Sequence, residues 1–159
     1  MNGNRPTLRL LSRAAPATRA SPDTNVPHRA NGSRRRVLYV SGGDEARVLF
    51  LRVARRWENV KLLVAGNAEE GLALAIARRP GMVVLDAHLS DLDGEKLVMA
   101  LREQALDPST PIVVLAHDGA PGERARFIWA GASAYIAKPL NVAEIDRTVG
   151  MLLEVAALR

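Results

Sequence analysis

Five short apolar segments alternate with five segments of helical periodicity, and this alternation constrains the fold of the chain more than any other feature. The apolar segments are rich in β-branched residues, which is typical of strands buried on both faces of a sheet. They span residues 37–40, 60–64, 82–86, 111–115 and 134–136. The helical segments lie over 44–57, 67–79 and 94–105, from Pro121 onward and from Asn141 onward.

Short connections between these segments predict an α/β fold with one parallel sheet covered by helices on both sides. Right-handed crossovers favour a doubly wound sheet of five strands in the order 2-1-3-4-5. Sites in such sheets form beyond the carboxyl ends of the strands, at the switch between strands 1 and 3. We therefore expect Ser41-Gly42-Gly43, Asp86, Ala116 and Lys138 to converge there.

The charge of the chain is concentrated at its N-terminus. Residues 1–36 contain eight arginines and one acid, whereas residues 37–159 contain 14 basic and 16 acidic residues. Residues 1–35 are also rich in proline and poor in large apolar side chains, so we predict a disordered basic tail followed by one domain over 36–159. A binding arm for nucleic acid or acidic partners, and an organellar presequence, are the alternatives for this tail.

Composition excludes several classes of protein. The chain has no cysteine, which excludes disulfides, thiolate catalysis and cysteine-ligated metal centres. Its three histidines, His28, His88 and His117, are too scattered to predict a zinc site. No apolar run approaches the ~20 residues that span a bilayer, so we expect a cytoplasmic protein without membrane contact.

Four sequence segments together resemble a known family. VLYV, VVLDAHLSDLDG, PIVVLA and AGASAYIAKPL are similar to the strand ends of CheY-like receiver domains of two-component response regulators. The similarity covers about residues 36–157 and is strongest to receivers of bacterial hybrid histidine kinases. It implies a flavodoxin-like fold and a signalling function in a phosphorelay rather than an enzyme.

The resemblance assigns roles to three residues. Asp86 matches the aspartate that accepts the phosphoryl group, Lys138 matches the lysine that contacts the phosphoryl oxygens, and Tyr135 matches the switch aromatic. From the residues alone, Asp86 is also explained as a polar strand end, Lys138 as its salt-bridge partner, and Tyr135 as a static aromatic.

Two parts of the family pattern are missing. Ser41, Gly42 and Gly43 replace the acidic residues that hold Mg²⁺, and Ala116 replaces a threonine or serine. Mg²⁺ requires carboxylate oxygens, so Asp86 and the His88 backbone would bind it weakly at most, and we expect no cofactor. Asp44 and Glu45 follow closely but lie too far along the helix without a rearranged loop.

These departures predict an atypical receiver with impaired Mg²⁺-dependent phosphorylation, because phosphoryl transfer depends on neutralising the developing charge. Its expected partner is a histidine kinase or phosphotransfer protein, bound by the face of the fourth helix, fifth strand and fifth helix. We expect a monomer or weak dimer. An ordinary phospho-accepting receiver or phosphate sink that uses Asp86 is the alternative, and nucleic-acid binding by the tail is an alternative of another class.

Several neighbouring residues have simpler structural explanations. We predict that Asp91 and Asp93 form a turn and the helix cap before Gly94, rather than a metal pair. His88 and His117 are expected in exposed loops, and Trp57 and Trp129 in packing at helix ends.

Two enzyme-like or cofactor-binding classes share this architecture. A phosphatase of the haloacid dehalogenase type needs a second aspartate two residues after Asp86, where this chain has His88. A flavodoxin-type flavin site needs a Ser- and Thr-rich loop after strand 1, and Ser41-Gly42-Gly43 does not supply one.

Overall fold

The computed structural model describes residues 36–116, 120–137 and 141–157. Its strands are β1 (Arg36–Val40), β2 (Lys61–Ala65), β3 (Met82–Asp86), β4 (Ile112–Ala116) and β5 (Ala134–Ala137). Its helices are α1 (Asp44–Ala54), α2 (Ala68–Arg78), α3 (Gly94–Gln104), α4 (Glu123–Ala130) and α5 (Val142–Ala157). The predicted tail over 1–35, and the predicted positions of His117 and Lys138, lie outside the described residues.

The strands form one parallel sheet in the order β2-β1-β3-β4-β5, which confirms the predicted fold class and topology. Every residue of the central strands β3 and β4 is buried, as the nearly continuous apolar runs predict. The edge strand β2 is largely half-buried. Strands β2, β4 and β5 each end one residue later than the sequence indicates.

Apolar side chains pack on both faces of this sheet. On one face, α2, α3 and α4 cover a cluster that includes Leu38, Leu85, Leu97, Phe127 and Tyr135. On the other face, α1 and α5 cover a cluster that includes Val37, Tyr39, Phe50, Ile145 and Val149. Alternate residues of each strand therefore belong to different cores, so one residue of register slip would exchange the two sets.

Helix caps agree with the sequence at two places. The side chain of Asn67 accepts a hydrogen bond of 2.8 Å from the Glu70 amide, as the predicted capping box requires. The Glu70 carboxylate, however, accepts from the Gly66 amide instead of reaching back to Asn67. At α5, Asn141 accepts from the Ala143 amide at 2.8 Å.

Two predicted local features are wrong. Pro121 does not lie in the first turn of α4, because Gly122 adopts φ +80° and the helix begins only at Glu123. Trp129 does not pack at a helix end, since 89% of its surface is exposed on α4. Trp57 does pack as predicted, with its ring edge against Phe50 and its indole N–H donated to Asp146 at 2.8 Å.

Candidate functional site

Asp86 ends β3 at the carboxyl edge of the sheet, beside the residues that follow β1. Its side chain is 4% exposed. The Tyr39 hydroxyl donates to its Oδ1 at 3.0 Å, and the Gly42 amide donates to its Oδ2 at 2.9 Å. The predicted convergence of Asp86 with the segment after strand 1 is therefore present, and a buried carboxylate is compensated by hydrogen bonds from the chain.

Tyr39 is a member of this site that the sequence reasoning missed. It is fully buried on β1, and its ring stacks on Phe50 with centroids 4.2 Å apart and planes inclined by 29°. Burial, followed by the negative charge of Asp86, raises the pKa of Tyr39 well above its ordinary value. The one available signal was a tyrosine within an otherwise aliphatic strand, two residues before the cleft.

Gly42 allows the loop after β3 to approach the segment after β1. A Cβ atom at Gly42 would lie 2.7 Å from the carbonyl oxygen of His88 and 3.4 Å from the Leu89 Cα. Real Cβ atoms do not approach a backbone oxygen so closely, so a side chain at this position would require the backbone to move. The His88 backbone thus reaches the cleft as predicted, but it packs against Gly42.

The residues near Gly42 do not direct their polar side chains at Asp86. The Ser41 hydroxyl, fully buried, donates to the Gly43 carbonyl at 2.8 Å. A Cβ atom at Gly43 would meet nothing within 4 Å. The Asp44 side chain is 97% exposed and lies 4.0 Å from Arg47, and Glu45 is exposed as well. Neither acid replaces the missing carboxylates, because both face solvent at the start of α1.

The receiver resemblance implies a Mg²⁺ ion at this cleft, held by several carboxylates. Mg²⁺ needs several oxygen ligands at near-octahedral angles. Within the described residues, no group of three or more acidic, histidine or cysteine side chains could hold a metal ion. The described part of the cleft therefore offers fewer side-chain ligands than the family pattern implies.

Tyr135 and Ala116 lie together on the other side of the sheet. Tyr135 is 7% exposed, Ala116 is 1% exposed, and both belong to the cluster under α4. The Tyr135 hydroxyl donates a short hydrogen bond to Oε1 of Glu123. Burial, and then the hydrogen bond to Glu123, raise the pKa of Tyr135 to about 12. The aromatic ring is therefore held inside the domain by a buried carboxylate.

Glu123 is a second residue that the sequence reasoning missed. It opens α4, yet only 4% of its surface is exposed. Its Oε2 lies 3.4 Å from Nε2 of His88, whose own side chain is 59% exposed, as predicted for a loop residue. Glu123 thus joins β5, α4 and the loop after β3. A glutamate in a charged first turn gives no sequence signal of such burial.

Asp91 caps a different helix from the predicted one. Its carboxylate accepts hydrogen bonds from the amides of Ala68 and Glu69, at 2.9 and 3.0 Å, at the N-terminus of α2. Burial raises the pKa of Asp91, but these amides outweigh that effect and leave it below the ordinary value. Asp93 does occupy the N-cap position before Gly94, without a side-chain cap hydrogen bond.

A five-stranded α/β sheet with a buried aspartate at the end of β3 is the arrangement expected of a receiver domain. The sequence model of the response regulator receiver domain matches residues 44–150, which is more than half of the chain. The chain therefore belongs to the response regulator receiver family of two-component systems.

Curated relatives match over the same region. The chain is 35% identical over 119 residues to the transcriptional regulatory protein PrrA of Mycobacterium tuberculosis, covering 74% of this chain and 49% of that protein. It is 32% identical over 126 residues to the transcriptional regulatory protein TrcR of the same organism, covering 79% and 48%. The chain thus spans about half the length of the curated relatives it matches.

Solved structures show the same fold. NtrX from Brucella abortus is 27% identical with a TM-score of 0.68, over 77% of this chain and 27% of that one. A CheY-like receiver domain protein from Methanospirillum hungatei is 22% identical with a TM-score of 0.67, over 76% of this chain and 94% of that one.

In the part of the chain that the structure describes, no helix is both long and apolar enough to span a membrane.

Proposed function

We propose that this protein is an atypical receiver that recognises a histidine kinase or phosphotransfer protein, with impaired Mg²⁺-dependent phosphorylation. The observation that carries the proposal is the shortage of carboxylates beside Asp86. Ser41, Gly42 and Gly43 supply none, and the Asp44 side chain is 97% exposed. Phosphoryl transfer depends on neutralising the charge of the transferred group, and this cleft lacks the ligands that would hold a cation for that purpose.

The proposed role of each site residue follows from its position. Asp86 occupies the phosphoacceptor position and Lys138 the position of the lysine that contacts the phosphoryl oxygens. Ala116 offers no hydroxyl to a phosphoryl group, and the Tyr135 hydroxyl donates a hydrogen bond to Glu123. We propose that the protein acts by binding, in the cytoplasm, without a cofactor and without enzymatic turnover of its own.

Phosphorylation is tested on the full chain with acetyl phosphate and beryllofluoride, each with and without Mg²⁺. The amide resonance of Gly42 is a suitable NMR reporter because its N–H donates to Asp86. We expect small shifts that depend little on Mg²⁺. Strong Mg²⁺-dependent shifts in the wild-type protein, lost in Asp86→Asn, would show an ordinary phospho-accepting receiver or phosphate sink instead.

The proposed partner surface comprises α4, β5 and α5. Helix α4 carries Trp129, which is 89% exposed and lines a groove with Met99 and Glu103 of α3. Tryptophan is also enriched among residues that dominate binding energy at interfaces. The fold and the family membership support a protein partner, and the exposed Trp129 supports the participation of α4.

Partner binding is tested with two single-residue variants and a purified histidine kinase or phosphotransfer protein of the same organism. Trp129→Ala is expected to weaken the complex by at least about tenfold, as for a central interface aromatic. Val48→Ala is the control, because Val48 is 56% exposed on α1, which is not part of the proposed surface. Equal affinities for the two variants would contradict a role of α4 in the interface. Binding is measured by isothermal titration calorimetry.

A further inference from the structure

Glu123 is a buried carboxylate whose main partner lies on the edge strand β5. It opens α4, only 4% of its surface is exposed, and its Oε1 accepts a hydrogen bond from the Tyr135 hydroxyl. Nε2 of His88 lies 3.4 Å from its Oε2, but 59% of the His88 side chain is exposed, so solvent screens that contact. The buried phenol therefore stabilises this carboxylate more than the histidine does.

Tyr135 depends on Glu123 in turn. Its ring packs against Phe127 of α4 with centroids 5.9 Å apart, and the methyl side chain of Ala116, in the same core cluster, offers its hydroxyl no acceptor. The pKa of Tyr135, raised to about 12, keeps the hydroxyl protonated at neutral pH, so it donates. A hydrogen bond to a carboxylate is roughly twice as strong as one between neutral groups. This bond thus holds the ring and the first residue of α4 together.

The same hydrogen bond fixes the short helix that carries Trp129. Helix α4 has eight residues, its first residue is bound to β5, and Phe127 packs on Tyr135 one turn later. Tyr39, the phenol that binds Asp86, belongs to the core on the opposite face of the sheet. The attachment of α4 to β5 is therefore separate from the hydrogen bond between Tyr39 and Asp86.

We propose that Glu123 is a positioning residue for the partner surface. Through Tyr135 it holds α4 on the sheet in a single arrangement, whatever the state of Asp86. This inference rests on the proposed function, because recognition without phosphorylation requires a surface that is already in its binding arrangement. Releasing Tyr135 lowers the populated fraction of that arrangement, and the apparent affinity for the partner falls by the same factor.

The hydrogen bond is measured by NMR on the full chain, with tyrosine labelled by the heavy carbon isotope at Cζ. The chain has two tyrosines, so the isotope shift in mixed light and heavy water reports the exchange of each hydroxyl with solvent, and Tyr39 is the internal control. We expect Glu123→Ala to speed exchange at Tyr135 by at least about tenfold, the effect of losing a hydrogen bond to a charged group. Glu123→Gln, which keeps an acceptor oxygen, should have a smaller effect, and Asp86→Asn none at Tyr135.

Three results of this measurement would overturn the inference. Exchange at Tyr135 that is unchanged in Glu123→Ala would show that the carboxylate does not hold the phenol. Equal acceleration at Tyr135 and Tyr39 would show a general loosening of the fold instead of the loss of one hydrogen bond. Acceleration at Tyr135 in Asp86→Asn as large as in Glu123→Ala would show that the arrangement depends on Asp86.

The effect on recognition is measured by calorimetry with the histidine kinase or phosphotransfer protein. Glu123→Ala should weaken binding by at least about tenfold, and so should Tyr135→Phe, which removes only the hydroxyl and serves if Glu123→Ala does not fold. If Trp129→Ala weakens binding and these two variants do not, the inference fails while the proposed function stands. Stronger binding by the wild-type protein in beryllofluoride with Mg²⁺ would contradict the proposed function, and the inference with it.

Discussion

At the scale of single residues, two buried carboxylates of this domain accept hydrogen bonds from partners inside the chain. Asp86 accepts from Tyr39 and Gly42, and Glu123 accepts from Tyr135. Burying such groups is costly unless hydrogen bonds replace those lost to water. Removing one partner therefore leaves the other one buried and unsatisfied, which makes these pairs sensitive to substitution.

Glu123→Ala is predicted to destabilise the domain by about 1–3 kcal/mol, because the Tyr135 hydroxyl loses its acceptor in the core. Glu123→Gln should cost less, since the amide oxygen still accepts from Tyr135. Urea unfolding at neutral pH measures both. Glu45→Ala is the matched control, as an exposed glutamate in the first turn of α1. A Glu123→Ala protein as stable as this control would show that the buried pair contributes nothing.

At the scale of secondary structure elements, α2 is fixed to the sheet by close contact and by a cap from a distant loop. A Cβ at Gly71 would lie 2.6 Å from Cγ2 of Val40, so the helix backbone packs directly on β1. Its N-terminus receives Asp91 from the loop after β3. The position of α2 thus depends on the two segments that form the cleft.

Gly71→Ala is predicted to destabilise the domain by about 1–3 kcal/mol, because the added methyl group overpacks the contact with Val40. Gly150→Ala is the matched control in α5, where a Cβ would meet nothing within 4 Å. That substitution should stabilise by roughly 0.5–1 kcal/mol, the usual gain of alanine over glycine within a helix. Thermal unfolding followed by circular dichroism compares the two, and equal melting temperatures would contradict the close packing.

Asp91→Asn tests the cap of α2 through its pH dependence. The pKa of Asp91 is below its ordinary value of 3.8, so its contribution is present above that value and is lost as the pH falls through the lower pKa of the folded state. The variant should be less stable than the wild-type protein at pH 7 by about 0.3–1 kcal/mol, the usual contribution of an exposed carboxylate at a helix N-terminus.

This difference should shrink as the pH falls below 4, because the wild-type carboxyl becomes neutral like the asparagine amide. Urea unfolding at several pH values measures it. A difference that stays constant from pH 7 to pH 3 would indicate that the charge of Asp91 is irrelevant to the cap.

At the scale of the whole molecule, two cores lie on opposite faces of one sheet, and both are built from the described residues. The core side chains of the described residues come from the five strands, the five helices and connecting residues such as Ala87 and Ala132. Residues 1–36 contain eight arginines, the last of which opens β1, whereas residues 37–159 contain 14 basic and 16 acidic residues. The excess of positive charge therefore lies in residues 1–36.

Deleting residues 1–35 is predicted to change the free energy of unfolding by less than about 0.5 kcal/mol. Surface substitutions that break no packing or hydrogen bonds usually change it within this range. The same deletion tests nucleic-acid binding by the tail. If that alternative applies, the full chain binds DNA with steep salt dependence and the shortened chain does not. Salt-dependent fluorescence anisotropy measures the binding. A large loss of stability would show that the tail takes part in the fold.

The sequence predicts the sheet, its strand order and the location of Asp86, because apolar periodicity and crossover handedness are local or general rules. It does not predict Tyr39 as a partner of Asp86, since that contact depends on the lateral packing of β1 against β3. Nor does it predict that Asp91 caps a helix that begins 23 residues earlier. Hydrogen bonds across the fold need the packed backbone, which local patterns do not encode.

The contact between Gly42 and the His88 carbonyl also limits what protein engineering can do at position 42. Backbone atoms already fill the space that any side chain there would need. A carboxylate introduced at this position is therefore expected to displace the loop after β3, and a second substitution that moves this loop would have to accompany it.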